Sequence, residues 1–147
     1  LAEMMVVLTV AGILIMVASS MFSDYRKNIR LREATTVFMS DIKLAKQEAA
    51  AKNVAYKCAF NSGDDTVYYL GQYVGGNITN PVTRQLHDIS SDISFRRVSS
   101  TETDNGIIMQ PRGTSTVSHV VLQNSKKKMR VDISATGRIT LNQNYVE

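Results

Sequence analysis

Residues 1–22 read LAEMMVVLTVAGILIMVASSMF, and residues 23–52 continue as SDYRKNIRLREATTVFMSDIKLAKQEAAAK. The first stretch holds no lysine, arginine or proline, and its single charge is Glu3. As a helix it spans about 33 Å, enough to cross a hydrocarbon layer of about 30 Å. Gly12 and the pair Ser19–Ser20 are its weak helix positions. The second stretch is polar but periodic. Ala34, Phe38, Ile42, Ala45 and Ala49 recur at spacings of three and four and make one apolar stripe, while Arg26, Lys27, Arg30, Arg32, Lys43 and Lys46 fall largely off it. No glycine or proline lies between Phe22 and Lys52. The two stretches are therefore predicted to form one continuous helix of about 50 residues, about 75 Å long. Such a rod outreaches a small globule, and its first half needs a membrane or other helices to cover it.

The period changes at Asn53. Asn53–Phe60 and Thr66–Val74 are rich in Val, Tyr and Phe and flank Asn61-Ser62-Gly63-Asp64-Asp65, the pattern of a hairpin. Gly75-Gly76-Asn77 and Asn80-Pro81 read as chain breaks. Asp92–Val98 reads as a strand, Ser99–Asn105 as a polar stretch closing on the turn signal Asn105-Gly106. Gly106–Gln110, Val117–Gln123, Met129–Ser134 and Arg138–Asn142 read as further strands. Met129, Val131 and Ile133 alternate with Arg130, Asp132 and Ser134, and Ile139 and Leu141 alternate with Arg138, Thr140 and Asn142. Joined by Ala135-Thr136-Gly137, they form a half-buried antiparallel pair. The expected class is α+β: an apolar helical segment over residues 1–22, an amphipathic half of the same helix over 23–52, and a β-rich head over 53–147. The roughly 125 residues beyond the apolar segment suffice for a modest core.

The formal charge is +4 and unevenly spread. Residues 1–60 carry eight basic and five acidic side chains, residues 61–105 three and six, and residues 106–147 six and two, so the ends are basic and the middle acidic. A solvated surface of mixed sign, head-to-tail packing between copies, and a polyanion partner at the C-terminal end all fit that pattern. Cys58 is the only cysteine, so no intrachain disulfide forms; its apolar, strand-like surroundings favour a buried inert thiol. His87 and His119 stand far apart, with no cysteine or carboxylate at a recognised metal-ligand spacing. No Ser/His/Asp constellation and no glycine-rich phosphate loop argues for catalysis.

Glu3 carries the functional argument. A carboxylate within a membrane-spanning helix costs about 2.5–3.5 kcal/mol on insertion scales, so it needs a partner or an interfacial position. One reading is a signal anchor with Glu3 among lipid headgroups. The other pairs Glu3 with the amino terminus of a neighbouring copy. Each copy then offers one carboxylate and one amine, and an interface repeated in that open fashion builds a filament.

Leu1-Ala2-Glu3-Met4-Met5-Val6-Val7-Leu8 followed by Ala11-Gly12-Ile13-Leu14 resembles the N-terminal signature of type IV pilins and type II secretion pseudopilins. In that family a peptidase cuts after a glycine, the new N-terminus is usually a methylated phenylalanine, and a glutamate stands fifth in the processed chain. Here it stands third, which implies two residues before Leu1. The family's proline near the end of the apolar segment has no counterpart, Ser19 and Ser20 standing there. Ala45-Lys46-Gln47-Glu48-Ala49, Asn105-Gly106-Ile107-Ile108 through Pro111-Arg112-Gly113, and Val131 to Ile139 resemble the head of the GspH/FimT branch. Ala45 and Ala49 also have a plain structural role, close helix–sheet packing, and Gly113 and Gly137 one in turns.

The resemblance implies a pilin-like fold and a non-enzymatic filament subunit that needs no cofactor. It assigns assembly to Glu3, Leu1, Met4, Val7, Leu8 and Gly12. The implied partners are other copies or related pilins in a helical filament, the inner membrane before assembly, and the pilus or secretion assembly machinery. The implied location is a bacterial inner membrane, then a periplasmic or extracellular filament. By the positive-inside rule Arg26, Lys27, Arg30 and Arg32 would place the head in the cytoplasm, whereas the resemblance places it outside. The alternative function is a minor tip or priming pilin that binds DNA for uptake. Some FimT-like proteins use a Gly-Arg-x-Arg motif for this; here Gly137-Arg138-Ile139-Thr140 lacks the second arginine. Lys126, Lys127, Lys128 and Arg130 would have to supply the charge, with binding that is strongly salt-dependent.

Overall fold

The period of three and four is realised as one unbroken helix, α1, Ala2–Lys52, in a computed structural model that describes residues 2–61, 63–100 and 106–143. Leu1 and positions 101–105 of the polar stretch, with Asn105 of its turn signal, lie outside the described residues. The helix ends where Asn53 turns left-handed at φ 53° and Val54 N–H donates to Ala49 C=O at 3.2 Å, a Schellman closure that satisfies a terminal carbonyl. The expected stripe is the buried face: Ala34, Phe38, Ile42, Ala45 and Ala49 are all buried. Leu31, Thr35 and Asp41 join them.

Eight strands follow: β1 Tyr56–Phe60, β2 Val67–Val74, β3 Asn77–Gln85, β4 Ser94–Ser100, β5 Gly106–Met109, β6 Ser118–Gln123, β7 Lys128–Ile133 and β8 Ile139–Asn142. They form two antiparallel four-stranded sheets, β3-β2-β1-β5 and β4-β6-β7-β8. The β1/β2 hairpin (Phe60 opposite Tyr68) and the closing β7/β8 pair (Val131 opposite Leu141) stand as expected. β3 is the difference. Gly75 and Gly76, at φ 62° and 88°, form a two-residue hairpin turn with Val74 opposite Asn77, the arrangement in which both central residues need positive φ. Asn80-Pro81 then sits inside β3, where the register shifts between Leu70 and Gln72. An edge strand tolerates such a residue because an N–H on its open side has no ladder bond to lose.

The helix and both sheets meet in an aromatic hub. The Phe38 ring lies 6.1 Å from Phe60 of β1, 5.3 Å from Tyr68 of β2 and 5.5 Å from Phe95 of β4. Phe95 in turn packs edge-on to Phe60 and Tyr68 at 5.0 and 5.6 Å. Leu122, Met129, Val131 and Ile133 extend this core under α1. A polar tie crosses it: Tyr68 Oη donates to Asp41 Oδ2 at 2.7 Å, and Arg84 Nε of β3 stands 3.3 Å from the same oxygen. Cys58 is buried, and burial, helped by the nearby Asp41 carboxylate, pushes its thiol well above the ordinary value.

Candidate functional site

The head covers α1 only from its second half. Among the described side chains before Asp24, every one is exposed, and the large apolar ones from Met4 to Phe22 are 51–75% exposed. An 18-residue window of this segment has a mean hydropathy of 2.4, with none of it buried. Its one hydroxyl among the described side chains, Thr9, donates back to Val6 C=O at 2.8 Å and Met5 C=O at 3.1 Å. The Thr9 hydroxyl is thus satisfied within the helix, as residence in lipid requires, and Glu3 is left as the group that needs an outside partner.

Glu3 sits in the first turn of the helix, where the unpaired N–H groups favour a negative charge. Val7 lies one turn beyond it. Met4, Leu8 and Gly12 follow one another at i, i+4 along an adjacent side. A side chain at Gly12 would meet nothing within 4 Å. The predicted assembly residues other than Leu1 are therefore gathered on the exposed start of the rod.

The basic residues are divided. Lys126 and Lys127 lie in the β6–β7 turn, and Lys128 opens β7. That turn folds onto the lower end of the head. Asn124 Nδ2 donates to Lys27 C=O at 3.0 Å, Lys27 Nζ reaches Ser125 Oγ at 3.4 Å, and Lys126 Nζ lies 3.4 Å from Asp24 Oδ2. Arg138 lies at the other end of β7, about 20 Å away at ~3.3 Å per residue. There it shares a shallow concavity of about 450 Å³ with Arg130, His119, Asp132 and Thr140. Arg130 Nε is 2.6 Å from Asp132 Oδ1. The structure brings Arg130 and Arg138 together and leaves the turn lysines apart from Arg138.

Three motif fragments that are distant in sequence converge. Lys46 Nζ of α1 donates to Gly137 C=O at 3.1 Å. A Cβ on Gly137 (φ 68°) would come within 2.3 Å of Gly113 C=O and 2.8 Å of that ammonium. Only glycine fits there, so the Pro111–Gly113 turn, the β7–β8 turn and the helix lock against one another. Asp41 is the residue that sequence reasoning missed. Its spacing from Phe38 and Ala45 marks it as stripe-facing, but an acidic side chain there reads as an exception until Tyr68 and Arg84 are known to face it.

The profile of a family described as type II transport protein GspH matches residues 34–137. No curated protein matches the sequence. Among solved structures, the type IV minor pilin FimU of Pseudomonas aeruginosa is similar with a TM-score of 0.63 at 16% identity, over 80% of this chain and 92% of that one. The minor pseudopilin EpsH from the type 2 secretion system of Vibrio cholerae gives 0.59 at 11% identity, over 76% and 94%. Both likenesses establish the fold: a long N-terminal helix packed on antiparallel sheets.

Proposed function

The chain belongs to the type II transport protein GspH family, and from that premise we propose that it is a structural subunit of a type IV pilus or pseudopilus-like filament that polymerises through its N-terminal helix. It is not an enzyme. One observation carries the reading: the apolar half of α1 stands wholly outside a head that closes its own core. Each large apolar side chain left in water forgoes about 1.5–3 kcal/mol of burial, so the segment needs a covering. Lipid supplies it before assembly, and the same surface against neighbouring helices supplies it in the filament. Moving between the two exchanges one apolar surrounding for another, which keeps the transfer near balance.

Glu3 gives that exchange a direction. In lipid its carboxylate is costly; beside the amino terminus of a neighbouring copy it is neutralised, and each added subunit repeats the pair one step along. Glu3→Ala is expected to insert into membranes as the parent does and to lose polymerisation or registration of subunits. The measurement is carbonate-resistant membrane association alongside sheared filament yield. Normal filaments in normal amounts from the variant would sink the pairing mechanism. Copies per unit length of purified filament then decide between shaft and tip. The DNA-uptake alternative draws less support, because Arg130 is paired with Asp132 and the turn lysines stand about 20 Å from Arg138.

A further inference from the structure

Two basic clusters about a hundred residues apart in sequence meet at the foot of the head. Arg26, Lys27 and Arg30 come from α1, Lys126 and Lys127 from the β6–β7 turn, and Lys128 from the start of β7. The contacts of Asn124, Ser125 and Lys126 with Asp24 and Lys27 hold the two together. The turn has a fixed shape, because Asn124 Oδ1 accepts the N–H groups of Lys126 and Lys127 at 2.9 and 2.7 Å. Among the described residues, two carboxylates stand by these six cations: Asp24, facing Lys126, and Asp92, 3.8 Å from Lys27 Nζ. Arg26, Arg30 and Lys126 are exposed.

We propose that this basic collar docks the foot of the head on an anionic phospholipid surface while the apolar helix is stored in the membrane. The inference rests on the membrane-storage reading above and adds a lipid preference to it. Position is the first argument. Arg26 and Lys27 lie about 6–8 Å beyond Phe22 at 1.5 Å per residue, with Arg30 at the margin at about 12 Å, and attraction of cations to an anionic leaflet falls off over about one Debye length, ~8–10 Å. Cations higher on the head, such as Lys43 and Arg138, stand beyond that range. Composition is the second. Phe22 and Tyr25 are exposed at this level, and the Arg26 guanidinium lies 5.7 Å from the Phe22 ring centroid, so aromatic and cationic groups are layered as at a membrane–water boundary. The same position disfavours DNA, because a duplex would have to wedge between the head and the bilayer.

The test uses the full chain reconstituted into vesicles of phosphatidylcholine with increasing phosphatidylglycerol. A dye on an introduced S91C, next to Asp92, is read against a quencher on lipid headgroups; Cys58 is buried and leaves the dye a single attachment site. Quenching is expected to rise with phosphatidylglycerol and fall back in high salt. Each cation near such a surface shifts the partition about fivefold, so K126Q/K127Q should lower the lipid preference roughly twentyfold. D24N should raise it, a direction that simple disruption of the collar would not produce. Quenching indifferent to phosphatidylglycerol, or lowered by D24N, overturns the proposal. So does capture of duplex DNA by the collar that ignores lipid charge. Carbonate extraction from pure phosphatidylcholine vesicles reads the storage of the helix separately: a chain that washes off refutes the membrane reading itself.

Discussion

Replacing Phe38 with alanine should detach the helix from both sheets at once. The ring is fully buried and contacts aromatic partners from β1, β2 and β4 at 5.3–6.1 Å. Removing a buried phenylalanine costs about 3–5 kcal/mol through lost transfer energy and the cavity left behind, and the edge-on contacts with Tyr68 and Phe95 put the site toward the upper end. At about 1.4 kcal/mol per decade, opening of the head becomes between a hundredfold and a few thousandfold more frequent. Cys58 supplies the assay, since it is buried in β1 and its thiol is exposed only when the head opens. In detergent micelles that cover the apolar segment, the F38A chain should react with a maleimide at a rate raised by that factor. F38L, which keeps most of the apolar volume, should recover most of the loss. A labelling rate for F38A within threefold of the parent's would refute the reasoning, because the two sheets would then be holding together without the hub.

Alkaline pH should destabilise the head. Burial pushes both the Cys58 thiol and the Tyr68 phenol upward, from ordinary values of 9.0 and 10.0, so the native state keeps protons that the unfolded chain releases. Stability is therefore full below about pH 9 and falls above it by up to ~1.4 kcal/mol per pH unit for each group; denaturant midpoints from pH 8 to 11 check this, and C58A should remove the earlier of the two losses. Asp41→Ala leaves the buried Tyr68 hydroxyl without its acceptor and should cost about 2–3 kcal/mol, most of it restored by adding Y68F; additive effects in that double-mutant cycle would deny the contact. Gly137→Ala forces a Cβ against Gly113 C=O at a left-handed position, for a cost of about 2–3 kcal/mol and a melting temperature lower by roughly 10 °C; an unchanged melting temperature would mean that the two turns are not locked.

The rod and its stripe were legible because helical periodicity survives in any polar background. So were the closing hairpin and the buried Cys58, each set by local alternation or composition. β3 was not legible, because Gly75-Gly76 and Asn80-Pro81 each read as breaks; only the sheet shows that the first is a tight turn and the second lies on an edge strand. The division into two sheets was equally hidden, since strand order depends on which hydrophobic faces meet across the Phe38 hub. At the proposed assembly surface, the exposed residues from Met4 to Phe22 announce themselves by composition. The collar does not: Arg26 to Arg30 and Lys126 to Lys128 look like separate solvated runs until the Asn124–Lys27 contact joins them.

The irregular edge of the β3 sheet has a consequence for growth. Nine residues of β3 are nearly all exposed, and a straight strand of that length would recruit strands from other chains. Pro81, the left-handed Asn80 at φ 50° and the register slip opposite Gly71 spoil that template. A subunit proposed to add end to end through its helix gains from having no rival rule of addition: a head that stacked sideways would convert an ordered thread into a tangle. The local disorder of pairing in β3 thereby keeps the choice of polymer with α1.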